Sequence, residues 1–265
     1  MDAVTLDFAA WPAPAKLNLM LRIVGRRADG YHLLQTVFQF LEYCDWLWFE
    51  TRDDGTIARH GEVVGVPPEA DLTVRAARLL QQATGTGRGA LIRIDKHLPM
   101  GGGLGGGSSD AATTLVALNH YWQTGLTLTE LAELGLRLGA DVPVFVHGRA
   151  AWAEGVGERL TPLDLDEPWF VVLAPACHVA TGTVFNDSEL TRNSSLITIT
   201  DFMMGAGGND CEAVVYRRYP EVAAAASWLA RYGLARLTGT GACVFASFPS
   251  ADRARRVLDQ LPPGW

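Results

Sequence analysis

Over residues 16–24 the chain alternates strictly. Leu17, Leu19, Leu21 and Ile23 fall on one side, and Lys16, Asn18, Met20 and Arg22 on the other. A period of two predicts a half-buried strand, and it makes Lys16 and Asn18 project from one face about 7 Å apart. Residues 25–30 (Gly-Arg-Arg-Ala-Asp-Gly) then form a polar turn signal. Residues 34–50, rich in Val, Phe, Tyr and Trp, predict one or two further strands. Leu72, Ala76, Leu79 and Leu80 have helical spacing within 72–83, and 90–95 alternates again as a strand. Helices are predicted over 111–122 and 129–138. Asp141-Val142-Pro143 marks another helix start, with Asp as cap and Pro in the first turn. Farther on, 169–173 predicts a strand, 210–218 and 221–232 helices, 237–248 two strands around a Gly-Thr-Gly turn, and 251–260 a last helix. No internal repeat is visible. The boundary between the two halves is placed within 160–168, giving domains 1–163 and 164–265. Hairpin-like strands mixed with helices favour an α+β fold over a doubly wound sheet.

Composition narrows the function classes. The 265 residues suit one large domain or two modest ones, and 48% apolar with 19% charged residues is ordinary for a folded globular protein. No apolar run approaches the roughly 18 residues that would span a bilayer. The start, Met1-Asp2-Ala3-Val4-Thr5, lacks the basic and apolar regions of a secretory signal. The expectation is therefore a cytoplasmic protein without a membrane partner. With 22 basic against 29 acidic side chains, a net charge of −7 and no long basic run, nucleic acid is a poor partner. The charge fits a monomer or a weak homodimer. Cys44, Cys177, Cys211 and Cys243 are far apart and make no CxxC pair, and the six histidines make no HExxH pair. Reduced thiols are expected, and no metal ligands can be named.

The sharpest feature is the run Gly101-Gly102-Gly103-Leu104-Gly105-Gly106-Gly107, followed by Ser108, Ser109 and Asp110. Ordering so many glycines costs conformational entropy. The cost is rational if bare backbone amides and a following helix N-terminus close around phosphate oxygens. A floppy linker would continue in Gly and Ser, whereas this run lies between a strand and an apolar helix. Two common phosphate loops fail on specific residues. The GxGxxG match lacks a directly preceding strand, and the Walker pattern has Ser108 where it needs Lys.

The run Pro99-Met100-Gly101 to Ser108-Ser109, with a helix behind it, resembles the nucleotide loop of the GHMP kinases. Other segments resemble the branch of that family acting on a cytidine-diphosphate-linked methylerythritol. They are Pro14-Ala15-Lys16-Leu17-Asn18-Leu19, Asp29-Gly30-Tyr31-His32, Gly139-Ala140-Asp141-Val142-Pro143, Glu154-Gly155-Val156-Gly157-Glu158, Asn209-Asp210 and Gly239-Thr240-Gly241-Ala242-Cys243. Together they span nearly the whole chain. The resemblance implies an N-terminal α/β nucleotide-binding domain, a smaller C-terminal ferredoxin-like domain, and an active site between them. It implies transfer of the γ-phosphoryl of ATP, with Mg²⁺, to the substrate's 2-hydroxyl, a step of the non-mevalonate isoprenoid route.

The resemblance also distributes roles. Asp141 is the candidate general base, a role that can coexist with capping the helix. Lys16 would keep Asp141 ionised and stabilise charge on the transferring group, and Asn18 would orient the acceptor. Residues 99–109 and Lys96 would bind the nucleotide. Tyr31 and Phe185 would stack on the cytosine, His32 would hydrogen-bond it, Val156 would line the pocket, and Thr240 would close over it. Asp71-Leu72 departs from the family's Asn-Leu. An ionised Asp donates no hydrogen bond, which puts nucleotide affinity or base selectivity in question at that position. Another kinase of the family, acting on homoserine or mevalonate, is the alternative. A regulator that has lost catalysis is a third reading, opposed by the presence of both Lys16 and Asp141.

Overall fold

The computed structural model describes residues 9–63 and 65–262; Met1-Asp2-Ala3-Val4-Thr5 lies outside the described residues. The chain forms two compact units. One is drawn from residues up to 15, 41–98 and 105–148; the other from 16–40, 99–104 and 149 onward. These units interleave along the chain.

The first two strands, β1 (Trp11–Arg26) and β2 (His32–Arg52), each contribute to both units. In the first unit, β3 (Ile57–His60) is followed by α1 (Leu72–Thr84), β4 (Gly89–Asp95), α2 (Gly106–Trp122), α3 (Leu128–Leu136) and α4 (Val142–His147). Strand β4 pairs antiparallel with the end of β2, from Trp46 opposite Asp95 to Arg52 opposite Gly89, and parallel with β3. Helix α1 starts where the Asp71 carboxylate accepts the Thr73 N–H at 2.8 Å and stops at Gly85, whose N–H bonds the Gln81 carbonyl. It buries Thr73, Val74, Ala76, Ala77 and Leu80; of the positions read from the sequence, Ala76 and Leu80 are buried whereas Leu72 and Leu79 are only half-buried. Helix α3 opens on a capping box between Thr127 and Glu130.

Helix α2 begins at Gly106, five residues before the apolar signal that starts at Ala111. Gly106 to Asp110 are helical in backbone but carry no apolar periodicity, so the pattern hides the first turn. Consequently the loop's serines belong to the helix.

The second unit contains the β5 (Ala151–Gly155) and β6 (Arg159–Pro162) hairpin, then β7 (Trp169–Leu173) and the short helices α5 (Thr181–Phe185) and α6 (Ile199–Met203). After these come α7 (Glu212–Arg218), α8 (Pro220–Leu229), β8 (Arg236–Leu237), β9 (Val244–Phe248) and α9 (Ala251–Leu258). Strand β5 pairs antiparallel with Leu34–Phe38 of β2, and the smaller sheet runs β7-β9-β8. Its core gathers Leu21, Ile23, Val171, Val214, Val222, Leu229 and Val244, while Met20 packs with Val37 and Trp152 in a second cluster. Strand β1 is therefore buried on both faces over Lys16–Leu21 apart from Leu19, and not half-exposed as alternation predicts. Its polar face is covered, and Lys16 and Asn18 are inside. The arrangement is α+β. The four cysteines are free thiols, and among the described residues no helix is long and apolar enough to cross a membrane.

Candidate active site

The glycine run is a built turn. Gly105 adopts the left-handed conformation (φ 76°) as the N-cap of α2, and the first helical bond runs from Ser109 N–H to the Gly105 carbonyl at 2.9 Å. Gly106, Gly107 and Ser108 consequently have N–H groups with no partner inside the helix, at its positive dipole end. In the second unit, Gly103 takes φ 77°, and a Cβ there would lie 2.3 Å from the Thr238 carbonyl oxygen. The Gly102 carbonyl accepts Cys243 N–H at 3.0 Å, the Leu104 carbonyl accepts Lys16 N–H at 2.9 Å, and Leu104 is buried. Pro99 is half-buried and Met100 exposed.

Lys16 is 2% exposed. Its ammonium donates to Asn18 Oδ1 and, at 2.9 Å, to the Gly103 carbonyl. Asn18 Nδ2 in turn donates to Thr36 Oγ1 at 2.8 Å, and Asn18 N–H donates to Thr238 Oγ1 at 3.0 Å. The shared face of the strand thus fastens a buried cation to the glycine turn. The hydroxyl reaching that turn is Thr238's, at 3.3 Å from the Gly103 carbonyl; Thr240 instead hydrogen-bonds Thr181 through their hydroxyls at 3.0 Å.

In the first unit, Asp141 occupies the N-cap position of α4, but its side chain makes no capping hydrogen bond. The capping reading is therefore not realised. Two residues before it, a Cβ on Gly139 would lie 3.7 Å from Ser108 Oγ, so the turn leading to Asp141 adjoins the first turn of α2.

Lys96 is committed to other partners. Its ammonium donates to Asp45 Oδ2 at 2.5 Å and Asp110 Oδ2 at 2.8 Å, while Asp45 Oδ1 accepts His97 N–H (2.6 Å) and Leu98 N–H (2.8 Å). The cluster ties the end of β4, the entry to the glycine run and α2 together. Burial pushes the Asp110 carboxyl up to about 7, against the opposing pull of Lys96. Burial alone would lower the Lys96 ammonium's pKa, but Asp110 and Asp45 outweigh it and raise it. Ser109 Oγ and Asp110 Oδ1 are buried without a hydrogen-bond partner among the described residues. At the neighbouring corner Asp71 caps α1 and pairs with Arg59 at 2.5 Å, both side chains buried. The acid that replaces the family's Asn is neutralised by this arginine. Leu72 lies close by Gly107, its Cδ1 3.4 Å from where a Cβ would stand.

An aromatic platform lies in the second unit. The His32 and Phe185 rings stack at 4.9 Å and 22°, whereas Tyr31 is 63% exposed. The ring on Phe185 is thus His32's, and Tyr31 stands in solvent. Arg192 Nε donates to His32 Nε2 at 3.2 Å. Val156 sits in the β5–β6 turn, where its N–H donates to Glu158 at 2.6 Å. Asn209 holds the strand end before the Gly-Thr-Gly turn through the Leu237 and Gly239 carbonyls, and Asp210 accepts Ile23 N–H at 2.6 Å, so this pair is structural. Asp45, Arg192 and Thr238 carry no local sequence signal, and Asp110, visible beside the serines at the helix entrance, carries no sign of a role of its own.

Comparison with known proteins gives the family and the fold. The family model described as GHMP kinases N terminal domain matches residues 71–149, and that described as GHMP kinases C terminal matches 189–263. A 4-diphosphocytidyl-2-C-methyl-D-erythritol kinase of Nitrosococcus oceani is 59% identical over 255 residues, covering 96% of this chain and 91% of the relative. The enzyme of that name from Alkalilimnicola ehrlichii is 60% identical over 255 residues, covering 96% and 88%. A crystal structure of 4-(cytidine 5'-diphospho)-2C-methyl-D-erythritol kinase superposes with a TM-score of 0.82 at 34% identity, over 95% of this chain and 94% of that one. The Methanococcus jannaschii mevalonate kinase shares the fold, with a TM-score of 0.71 at 14% identity over 97% and 95%.

Proposed function

The chain belongs to the GHMP kinase family, and from that premise we propose that it phosphorylates the 2-hydroxyl of 4-diphosphocytidyl-2-C-methyl-D-erythritol with ATP, giving the 2-phosphate and ADP. It is a phosphotransferase of the α+β GHMP fold. The step belongs to the non-mevalonate route to isopentenyl diphosphate. The observation that carries the phosphate chemistry is the buried Lys16 ammonium bonded to the Gly103 carbonyl of a rigid polyglycine turn.

Phosphoryl transfer asks a protein for position and charge neutralisation more than for covalent chemistry. The free amides of Gly106, Gly107 and Ser108 hold the phosphate tail at the α2 N-terminus. Lys16, fixed in a desolvated setting, stabilises charge that develops on the transferring group. Asn18 holds that ammonium and orients the acceptor region. Asp141, at the start of α4, takes the proton of the 2-hydroxyl. Lys96 acts on the nucleotide indirectly, by fixing the entry to the turn through Asp45 and Asp110. Phe185 stacks on the cytosine while His32, its ring lying against Phe185, hydrogen-bonds the edge of the base, with Tyr31 and Val156 at the margin and Thr240 holding the neighbouring turn.

Mg²⁺ accompanies ATP and neutralises phosphate charge when bound. Few protein oxygens would be needed to hold it. The half-exposed Ser108 hydroxyl and the unpartnered Asp110 Oδ1 fit that requirement.

Incubation with ATP, Mg²⁺ and the diphosphocytidyl substrate is expected to yield ADP and a product about 80 Da heavier, the mass of one added phosphoryl group. Turnover of homoserine or mevalonate with none on the cytidyl compound would overturn the proposal.

A further inference from the structure

The Arg192 guanidinium is tied down on nearly every side. Its Nη2 donates to the Phe185 carbonyl at 2.8 Å and the Asp187 carbonyl at 2.6 Å, and its Nη1 to the Leu190 carbonyl at 3.1 Å. The strap from Phe185 to Arg192 therefore curls around its own last side chain. Outside, the buried Asp187 carboxylate is held by Arg217 at 2.9 Å and Arg218 at 2.5 Å. A fourth donor, Nε–H, points at His32 Nε2 from 3.2 Å. One guanidinium thus ties the Phe185 backbone to the edge of the His32 ring that stacks on Phe185.

We infer that Arg192 is a positioning residue that fixes the tautomer of His32 and, through it, the preference of the site for cytosine over uracil. Arginine has donors only, so the nitrogen facing Nε–H must be the acceptor. The neutral ring then carries its proton on Nδ1. Burial, then the charges of Arg192 and Arg26, hold the His32 pKa below its usual value, which keeps the ring neutral near pH 7.

An Nδ1–H donor discriminates between the two pyrimidines. The pairing edge of cytosine offers N3 as an acceptor beside the O2 carbonyl, whereas uracil offers N3–H, a donor that would oppose another donor. The inference rests on the proposed substrate; the composition of the strap carries no cytosine signal of its own. An unpaired buried donor reduces affinity by roughly 10- to 100-fold, and that is the size of preference at stake.

The test compares kcat/KM for cytidine- and uridine-diphosphate-linked methylerythritol in the unmodified enzyme, Arg192→Met, Arg192→Lys, His32→Ala and the double variant Arg192→Met/His32→Ala. Arg192→Met is expected to cut the cytosine preference roughly 10-fold, through KM for the cytidyl substrate, with kcat and the KM for ATP little changed. Arg192→Lys, which can still donate to Nε2, keeps the preference at a higher KM. In the His32→Ala background, removal of Arg192 has no further effect on preference. A full preference in Arg192→Met, or an equal loss with and without His32, overturns the inference. Should Arg192→Met fail to fold, ¹⁵N NMR of the unmodified enzyme decides: Nδ1 protonated supports the assignment and Nε2 protonated rejects it. Absence of any turnover on the cytidyl substrate would sink the proposed function, while the nitrogen spectrum would still settle the tautomer.

Discussion

Replacing Asp110 with Asn tests the buried cluster beneath the glycine turn. The folded carboxyl titrates near 7 because burial opposes its ionisation, against about 3.9 in the unfolded chain. A raised folded pKa means that the native state binds the extra proton. Its stabilising contribution is complete below pH 4 and is lost as pH rises through 7. Between pH 5 and pH 8 the group titrates over about two pH units on its way to full ionisation. At about 1.4 kcal/mol per unit this destabilises the native state by roughly 2–3 kcal/mol. Asp110 is almost wholly buried, so solvent screening takes little from that figure. Lys96 stays charged at both pH values, so the loss of its contact with residue 110 shifts both measurements alike and drops out of the comparison. Urea unfolding at pH 5 and pH 8 is the assay. The Asn variant is expected to show a pH-dependent loss smaller by about 2–3 kcal/mol, or roughly 5–10 °C in Tm. Equal pH slopes in the two proteins would show that Asp110 is ionised throughout and refute the reasoning.

Other substitutions probe the remaining parts. Asp141→Asn should lower kcat roughly 100- to 10,000-fold, the usual worth of a general base, with ATP binding nearly unchanged in a calorimetric titration. Phe185→Ala should raise the KM of the cytidyl substrate roughly 10- to 100-fold, the worth of one stacked base, without a matching rise for ATP in steady-state kinetics. Gly103→Ala places a methyl group 2.3 Å from the Thr238 carbonyl at φ 77°. It should destabilise the protein by about 2–4 kcal/mol in denaturant unfolding and weaken ATP binding. Arg59→Met leaves Asp71 buried without its charge partner and is expected to cost about 3–5 kcal/mol of stability, and Asp71→Asn in that background should recover much of it.

The parts of the fold written in short-range pattern were legible. Alternation over 16–24 located β1 and put Lys16 and Asn18 on one face, where the structure joins them by a hydrogen bond. The same alternation could not show that the polar face is covered, because burial there depends on Val37 and Trp152 from distant strands. The glycine run announced its turn, yet the start of α2 was masked by residues without apolar side chains. The β5–β6 hairpin and the four-residue β3 were too short to show a period. Lys96 and Arg192 mark the deeper limit. Each acts through partners 51, 14 or 160 positions away, and no local spacing encodes such contacts. The exposed Tyr31 and the stacked His32 differ only in which side of the strand start they occupy.

Phosphorus NMR of the reaction product tests the central claim most directly. With the diphosphocytidyl substrate and ATP, the account predicts one new phosphomonoester signal coupled to the methylerythritol carbon framework at position 2, with the diphosphate signals of the cytidyl group retained. A phosphoryl group on another hydroxyl, or ADP released with no phosphomonoester formed, would contradict it.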